Sequence, residues 1–194
     1  MKRGNMNREE SQLLEKSIEF ALKAHSGAMR KGGGYPYIVH PLETMEIVSH
    51  LSDDAEVLAA AVLHDVIEDT PYTYEDIKTE FGQRVADLVN WESEDKMRDR
   101  PASETWRERK EETISRDKEA PLDVKMILLG DKLSNMRGSR MDFRKNGDSM
   151  WQKFNMKDKS QQEWYYRAIC TIIPELSDTL AYAEYCEILD EVFG

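Results

Sequence analysis

The segment AAAVLHDVIEDTP, residues 59–71, combines the most apolar helix pattern of this chain with its densest group of ionisable side chains. The run 57–63 contains only Val, Leu and Ala, which predicts a helix that is buried on most of its faces. Pro71 is expected to end the helix near Thr70, because a residue before proline disfavours helical angles. The last turn then holds a histidine and three acids: His64, Asp65, Glu68 and Asp69. Since residues four apart share a helix face, these polar groups are expected to converge at one helix end.

Two interpretations of this helix end are open from its residues alone. Ionisable groups beside a buried apolar helix need compensation, and a divalent cation held by imidazole and carboxylate groups would supply it. The alternative is a frayed, solvated helix end that binds nothing. Acidic groups at a helix C-terminus are opposed by the helix dipole, which favours the metal-binding or catalytic interpretation.

Helical patterns continue upstream of this segment. Apolar residues at three- and four-residue spacing predict an amphipathic first helix. Its stripe is Leu14, Ile18, Ala21, Leu22 and His25. We expect His25 to lie at the polar edge of that stripe. Glycines 32–34 break the helix, Pro41 suits the first turn of the next one, and Asp53 is the expected N-cap of the buried helix.

Helices are also predicted downstream, and no stretch shows a convincing β pattern. A capping box at 73–76 and Gly82 bound a short helix. Further helices are predicted around 85–91, 105–116, 121–137, 160–173 and 174–192, with a loop at 92–103 and an irregular segment at 138–149. The predicted fold is an all-α helical bundle formed by one domain, residues 1–194. Its core would cover about 10–175, with a C-terminal helix at 176–194 packed on it.

The charge balance argues against several classes of partner. The 38 acidic and 27 basic residues give a net charge of -11, so neither nucleic acid nor an anionic membrane surface is expected to bind. An anionic substrate would need local cations or a metal. No apolar run approaches the ~20 residues that span a bilayer. Residues 1–10 lack the apolar core of a signal peptide, and Cys170 and Cys186 are expected to be buried, reduced thiols. The predicted location is the cytoplasm, and a homo-oligomer remains open.

Two further segments supply candidate ligands. His40 lies directly before Pro41 at the start of a helix, where a histidine can equally be a cap or a half-buried core residue. Asp131 lies on the apolar side of its helix, one turn before Asn135. A salt bridge is the alternative role for this aspartate. The residues alone therefore leave the roles of both candidates open.

Taken together, these segments resemble the HD-domain hydrolases. Within that family they resemble the alarmone hydrolases, which include the hydrolase half of the RelA/SpoT proteins and the small stand-alone enzymes. The resemblance rests on RK at 30–31, PYIVHP at 36–41, LHDVIEDT at 63–70, FG at 81–82 and DKLSNMR at 131–137. These motifs follow one another in the family's order and at about its spacing. An HD pair alone is weakly specific, but together with the flanking motifs it is highly specific.

The resemblance implies an HD-domain helical bundle and assigns roles to ten residues. The metal ligands would be His40, His64, Asp65 and Asp131, and the metal is typically Mn²⁺. Glu68 and Asp69 would hold and activate the attacking water. The implied substrate-binding residues are Arg30, Lys31, Tyr37 and Asn135. The implied partner is a small nucleotide: the guanosine bis(diphosphates) ppGpp and pppGpp would be hydrolysed to GDP or GTP and pyrophosphate.

Departures from the family pattern keep two alternatives open. Glycine occupies 32–34 where many members carry serine, and Gly138 stands where many carry threonine. Because both positions lie near the nucleotide in the family, a phosphohydrolase for another nucleotide or phosphate ester is the first alternative, for example a nucleotidase or an NADPH phosphatase. A non-catalytic nucleotide-binding module is the second. The intact Glu68-Asp69 pair argues against the module, because a binding protein needs no proton acceptor beside a metal.

Overall fold

The computed structural model describes residues 6–31, 34–94, 96–97 and 99–194. The α-helices in these ranges are α1 (Arg8–Ala24), α2 (Val39–Ser49), α3 (Ala55–Leu63), α4 (Val66–Asp69), α5 (Tyr74–Phe81), α6 (Gln83–Glu92), α7 (Ala102–Lys118), α8 (Leu122–Asn146), α9 (Lys159–Ile172) and α10 (Leu180–Phe193). Two 3-10 helices cover Gly147–Lys153 and Pro174–Leu176. Extended pairing within these ranges is limited to one antiparallel bridge between Met29 and Pro36. The predicted all-α class is confirmed.

Helix α3 lies at the centre of the fold. All of its residues except Glu56 are buried, as the apolar run at 57–63 predicts. It packs against α1, α2, α6 and α8. Burial of a Val or Leu side chain contributes about 1.5–3 kcal/mol, so this helix is a major source of stability. The four helices packed around α3 hold its polar C-terminal end in place.

A second apolar cluster lies between α8, α9 and α10. Its fully buried side chains include Leu133, Met136, Ile169 and Ile188. Arg137 and Arg144 on α8 also pair with Glu184 and Glu191 on α10, respectively. Across the described ranges, no helix combines the length and apolarity needed to cross a bilayer.

The polar end of the buried helix differs from the prediction. Instead of continuing to Thr70, the helix is interrupted at His64 and Asp65, and a separate short turn, α4, follows. Nδ1 of His64 lies 2.8 Å from the Ala61 carbonyl oxygen. That carbonyl would accept the Asp65 amide proton in an uninterrupted helix, so the imidazole competes with the main chain for it.

Other sequence predictions need correction. The N-cap of α3 is Asp54, which accepts from the Glu56 amide, and not Asp53. The segment at 138–149 is not irregular as the sequence predicts: α8 continues to Asn146, because its contacts with α10 outweigh the weak helix propensity around Gly138. The last α-helix begins at Leu180, after a 3-10 turn. Cys170 and Cys186 are half-buried, with their sulfur atoms 3.7 Å apart.

Other details agree with the sequence or lie outside the described ranges. The capping box at Thr73 and Asp76 is present as predicted. The glycine break falls partly on residues 32–33, and the loop at 92–103 includes residues 95 and 98, all of which lie outside the described residues.

Helices α2 and α8 approach each other closely at Gly130. A Cβ atom at this position would lie 2.7 Å from Cγ2 of Val48 and 3.1 Å from the carbonyl oxygen of Thr44. Real Cβ atoms essentially never come within 3.0 Å of another atom, so only glycine fits without a shift. Since Asp131 follows Gly130, this close approach brings Asp131 towards the start of α2, where His40 lies.

We expect Gly130→Ala to destabilise the protein by about 1–3 kcal/mol, the usual cost of overpacking a close contact. The measurement is the free energy of unfolding in a denaturant titration. Gly138→Ala is the matched control in the same helix, because its Cβ would meet no atom within 4 Å. This control should be neutral or stabilising by up to about 1 kcal/mol, as alanine favours helix. Equal stabilities for the two variants would contradict the close-contact argument.

Candidate active site

Four side chains that are distant in the sequence meet at one point of the fold. Nε2 of His64 lies 3.0 Å from Oδ2 of Asp65 and 3.8 Å from Oδ1 of Asp131. Nε2 of His40 lies 3.5 Å and 3.2 Å from the same two oxygens. The four side chains are only 2% to 16% exposed. The alternative of a solvated helix end is therefore wrong.

The two imidazole rings are oriented through their Nδ1 atoms. The Nδ1 atom of His64 faces the Ala61 carbonyl oxygen, which can only accept. Nδ1 of His40 lies 2.8 Å from Oγ of Ser134, and that hydroxyl donates to Glu43 at 2.7 Å. Both Nδ1 atoms are thus placed to donate a proton. In the neutral form of each ring, Nε2 is then the unprotonated nitrogen, and it points at the carboxylates.

The carboxylates are also held by neighbouring groups. The Tyr37 hydroxyl donates to Oδ2 of Asp65 at 2.6 Å. The Asn135 amide donates to Oδ1 of Asp131, and the Lys132 ammonium donates to Oδ2 of the same residue, each at 2.5 Å. The orientation of both acids is therefore set by hydrogen bonds, as is usual for residues that bind metals.

The electrostatics of the four groups favour a bound cation. Burial by itself lowers the pKa of His64, but the carboxylates of Asp65 and Asp131 outweigh it and raise that pKa to about 10. Burial would raise the pKa of both acids. The neighbouring His64 and His40 nevertheless hold the pKa of Asp65 well below its usual range, and Lys132 and His40 do the same for Asp131. Both acids are thus ionised at neutral pH, and the carboxylates that attract a proton to His64 would equally attract a metal ion.

The geometry of the group fits a single divalent cation. Ligand atoms bound at about 2.0–2.2 Å to one ion lie about 3–3.6 Å apart. Three of the four distances between nitrogen and oxygen atoms, 3.0–3.5 Å, fall within this spacing, and the fourth, 3.8 Å from His64 to Asp131, is slightly longer. One potential ligand atom from each of His40, His64 and Asp65 lies within 4.8 Å of the others. Nε2 of His64 is buried, and its approach to Asp65 at 3.0 Å is an ion-pair contact that lacks hydrogen-bond geometry. The chemistry of two imidazoles and two carboxylates suits a transition metal.

Glu68 and Asp69 line the same small cavity, of about 170 Å³. Oε2 of Glu68 accepts from the Glu94 amide at 3.1 Å, and Oε1 lies 3.3 Å from Nζ of Lys96. Lys96 also pairs with Asp69. Lys96 is therefore paired with two acids rather than a solvated charge. Burial, and then the nearby Asp65 carboxylate, raise the pKa of Glu68. A carboxylate with a raised pKa is a better proton acceptor than one on the surface.

A larger cleft of about 900 Å³ adjoins this cavity. Arg30 reaches the boundary between the two, where it donates to the Asn135 side-chain carbonyl at 2.5 Å and lies 5.7 Å from the centre of the Tyr37 ring. Backbone bonds from Arg30 to Tyr35 and from Tyr37 to Ala28 hold this loop in place. All ten residues that the sequence predicted for the site line one or both of these cavities.

The structure adds residues that sequence reasoning missed. His25 is 5% exposed and lines the large cleft, with its ring 5.0 Å from that of Tyr37, so its predicted place at a polar edge is wrong. Lys132 anchors Asp131, although adjacent residues on a helix usually point apart. Lys145 and Lys153 line the cleft from a segment that carried no recognised motif. The apolar stripe of α1 was the one signal that pointed to burial of His25.

Three similar proteins carry related names. A Haemophilus influenzae protein named guanosine-3′,5′-bis(diphosphate) 3′-pyrophosphohydrolase is 43% identical over 121 residues, which are 60% of this chain and 17% of that protein. The Danio rerio protein of the same name, MESH1, is 33% identical over 135 residues, which are 68% of this chain and 72% of that one. A solved structure described as a metazoan ortholog of SpoT that hydrolyses ppGpp superposes with a TM-score of 0.73 at 26% identity, and covers 97% of this chain and 98% of that chain.

The family match covers the whole cluster described above. The HD domain profile matches residues 17–157, well over half of the chain. This range contains the two imidazoles and both carboxylates of the cluster, and also the paired acids Glu68 and Asp69. The chain spans only 17% of the length of the Haemophilus relative, so that comparison concerns one part of the larger protein. The length of the profile match shows that this chain belongs to the HD domain family.

Proposed function

We propose that this protein is a metal-dependent hydrolase that cleaves guanosine 3′,5′-bis(diphosphate), ppGpp or pppGpp, to GDP or GTP and pyrophosphate. The observation that carries the proposal is the convergence of two imidazoles and two carboxylates beside Glu68, at the end of a cleft rich in cations. The names of the Haemophilus and Danio relatives support the choice of substrate.

The metal would be held by His40, His64, Asp65 and Asp131. When bound, a divalent cation supplies Lewis acidity, which lowers the pKa of a coordinated water and offsets negative charge on phosphoryl oxygens. We propose manganese, because it is the typical metal of the alarmone hydrolases that the motifs resemble and because carboxylate and water ligands suit it. The two unbridged cysteines are consistent with a reducing compartment, which supports the proposal of a cytoplasmic enzyme.

The residues of the chain account for the proton transfers and for substrate orientation. Glu68 accepts a proton from the attacking water, whose oxygen forms a bond to the phosphorus attached to the ribose 3′ oxygen. The bond between that phosphorus and the 3′ oxygen breaks, and the 3′ oxygen takes up a proton. Lys96 fixes the positions of Glu68 and Asp69. The Arg30 guanidinium is placed to bind a phosphate group with two parallel hydrogen bonds.

A second candidate is hydrolysis of a different phosphorylated nucleotide. Gly138 lines the large cleft and offers no side chain to a ligand. A cleft wall without a side chain at this point would also accept other nucleotides. The two candidates are separated by a panel of nucleoside mono-, di- and triphosphates, NADPH and ppGpp, assayed with one enzyme preparation. Turnover of another compound far faster than ppGpp would replace the first proposal with the second.

We expect purified protein with Mn²⁺ to release pyrophosphate and GDP from ppGpp, and Glu68→Gln to lower kcat by about 10²–10⁴-fold through loss of the proton acceptor. Chromatography of the nucleotide products measures both. Glu75→Gln, an exposed glutamate at the start of α5, is the control and should keep wild-type activity. Full activity in Glu68→Gln would remove Glu68 from the mechanism, and no turnover by wild type with metal bound would remove the proposed function.

We also expect Asp65→Ala to lose metal and thermal stabilisation together. A metal at 100 times its Kd stabilises the folded protein by about 2.7 kcal/mol, which corresponds to a rise in Tm of about 5–10 °C for a chain of this size. Elemental analysis and melting curves with and without Mn²⁺ measure the two effects. Asp148→Ala, at a surface ion pair with Lys159, is the control and should retain both. An unchanged metal stoichiometry in Asp65→Ala would contradict the ligand assignment.

A further inference from the structure

The large cleft has a charge opposite to that of the whole chain. The protein carries a net charge of -11, yet six cationic side chains line the cleft: Arg30, Lys31, Lys96, Arg137, Lys145 and Lys153. The acidic residues that line it are Glu43, Asp69 and Asp142. The lining thus has three more positive than negative charges. A cleft with excess positive charge, in a protein whose net charge is negative, favours a polyanionic ligand.

Several of these cations are not neutralised by acids. Arg30 donates to the neutral amide of Asn135. The three acids of the lining pair with other cations, Glu43 with Arg137, Asp69 with Lys96 and Asp142 with Lys153. In the described part of the chain, no ion pair involves Arg30, Lys31 or Lys145. By contrast, Lys96 pairs with Glu68 and Asp69 close to the candidate metal centre. The unneutralised positive charge therefore lies in the cleft beyond that centre.

Four of the six cations come from two separate segments. Arg30 and Lys31 lie in the connection between α1 and α2. Lys145 lies in the last turn of α8, and Lys153 ends the 3-10 helix that follows. We call the pair Lys145 and Lys153 the lysine wall. Lys145 lies in the part of α8 that extends beyond its predicted end, and neither lysine stands in a motif, so the structure alone revealed the wall.

Lys153 is held in place at this wall. Its ammonium group pairs with Asp142 and lies 4.9 Å from the centre of the Phe154 ring. Its side chain is only 26% exposed. Burial, and then the positive charge of Arg30, lower the pKa of Lys153. The Arg30 guanidinium is therefore close enough to act on Lys153, and an anion between the two side chains would be attracted by both.

The lysine wall and the candidate metal centre are connected. Arg30, Tyr37, Asp69 and Asn135 line both the small cavity and the large cleft. A substrate with one phosphate group at the metal centre can therefore extend past Arg30 into the cleft. We propose that Lys145 and Lys153 bind a second phosphate group of the substrate, one that is not cleaved. This inference rests on the proposed function, and for ppGpp the second group is the 5′-diphosphate.

The test compares three substrates that share the 3′-diphosphate and carry one, two or three phosphates at the 5′ position. With wild type, KM should fall as the 5′ chain lengthens. In the double variant Lys145→Met, Lys153→Met, KM for the 5′-diphosphate and 5′-triphosphate should rise about tenfold or more, as expected for lost hydrogen bonds to charged groups. The change should fall on KM rather than on kcat, because the lost contacts are the same before and during the reaction.

Lys157→Met is the matched control. Lys157 is an exposed lysine in the connection between the 3-10 helix that Lys153 ends and α9. It is not among the residues that line the cleft. It should keep the wild-type dependence of KM on the 5′ chain. If the double variant also keeps that dependence, the proposed role of the lysine wall is wrong.

A binding measurement separates this inference from the proposed function. Calorimetry at low ionic strength would compare the affinity of inorganic tripolyphosphate for wild type and for the double variant, with the same metal content in both. Weaker binding by the double variant supports the lysine wall even if wild type does not hydrolyse ppGpp. Equal affinity in both proteins, or no binding to wild type, would overturn the inference whatever the activity.

Discussion

Helices α2 and α8 pass so close to each other at Gly130 that no methyl group fits between them, and the candidate active site depends on this contact. It places the first turn of α2, with His40, against the part of α8 that carries Asp131. The buried helix α3 packs against both and delivers His64 and Asp65 to the same point. Because packed helices are rigid, the four side chains are held before any ligand arrives, which lowers the cost of binding one.

The interruption after α3 shows how the local backbone serves this arrangement. An uninterrupted helix would leave the Ala61 carbonyl to the main chain, and the His64 ring would lose the acceptor that orients it. In the structure, the Ala61 carbonyl instead faces the His64 imidazole, and α4 begins at Val66. The cost is a break in the most apolar helix of the protein. The gain is a histidine ring whose Nε2 atom faces Asp65 and Asp131.

Charge is distributed so that an acidic protein can bind an acidic ligand. The negative charge is spread over the surface, where water screens it. The cleft combines unneutralised cations with a cluster of imidazoles and acids that attracts a metal ion. Lys96 lies between the two regions and balances Glu68 and Asp69, so that the proton-accepting carboxylates do not repel an anionic substrate outright. The cleft and the cluster are thus complementary to a nucleotide with several phosphate groups.

The sequence by itself determined the helical class and the buried position of the 57–63 run, and its resemblance to the HD-domain hydrolases named the candidate ligands. Apolar periodicity predicts which helix is buried. The HD motifs can be recognised because each consists of residues that are neighbours in the chain. Tertiary structure alone decided that His40 and Asp131 meet the His64-Asp65 pair, because their separation depends on how α2 and α8 pack. It also decided the extension of α8, the burial of His25 and the lysine wall. Residues such as Lys153 stand in no motif, and their surroundings exist only once distant helices have come together.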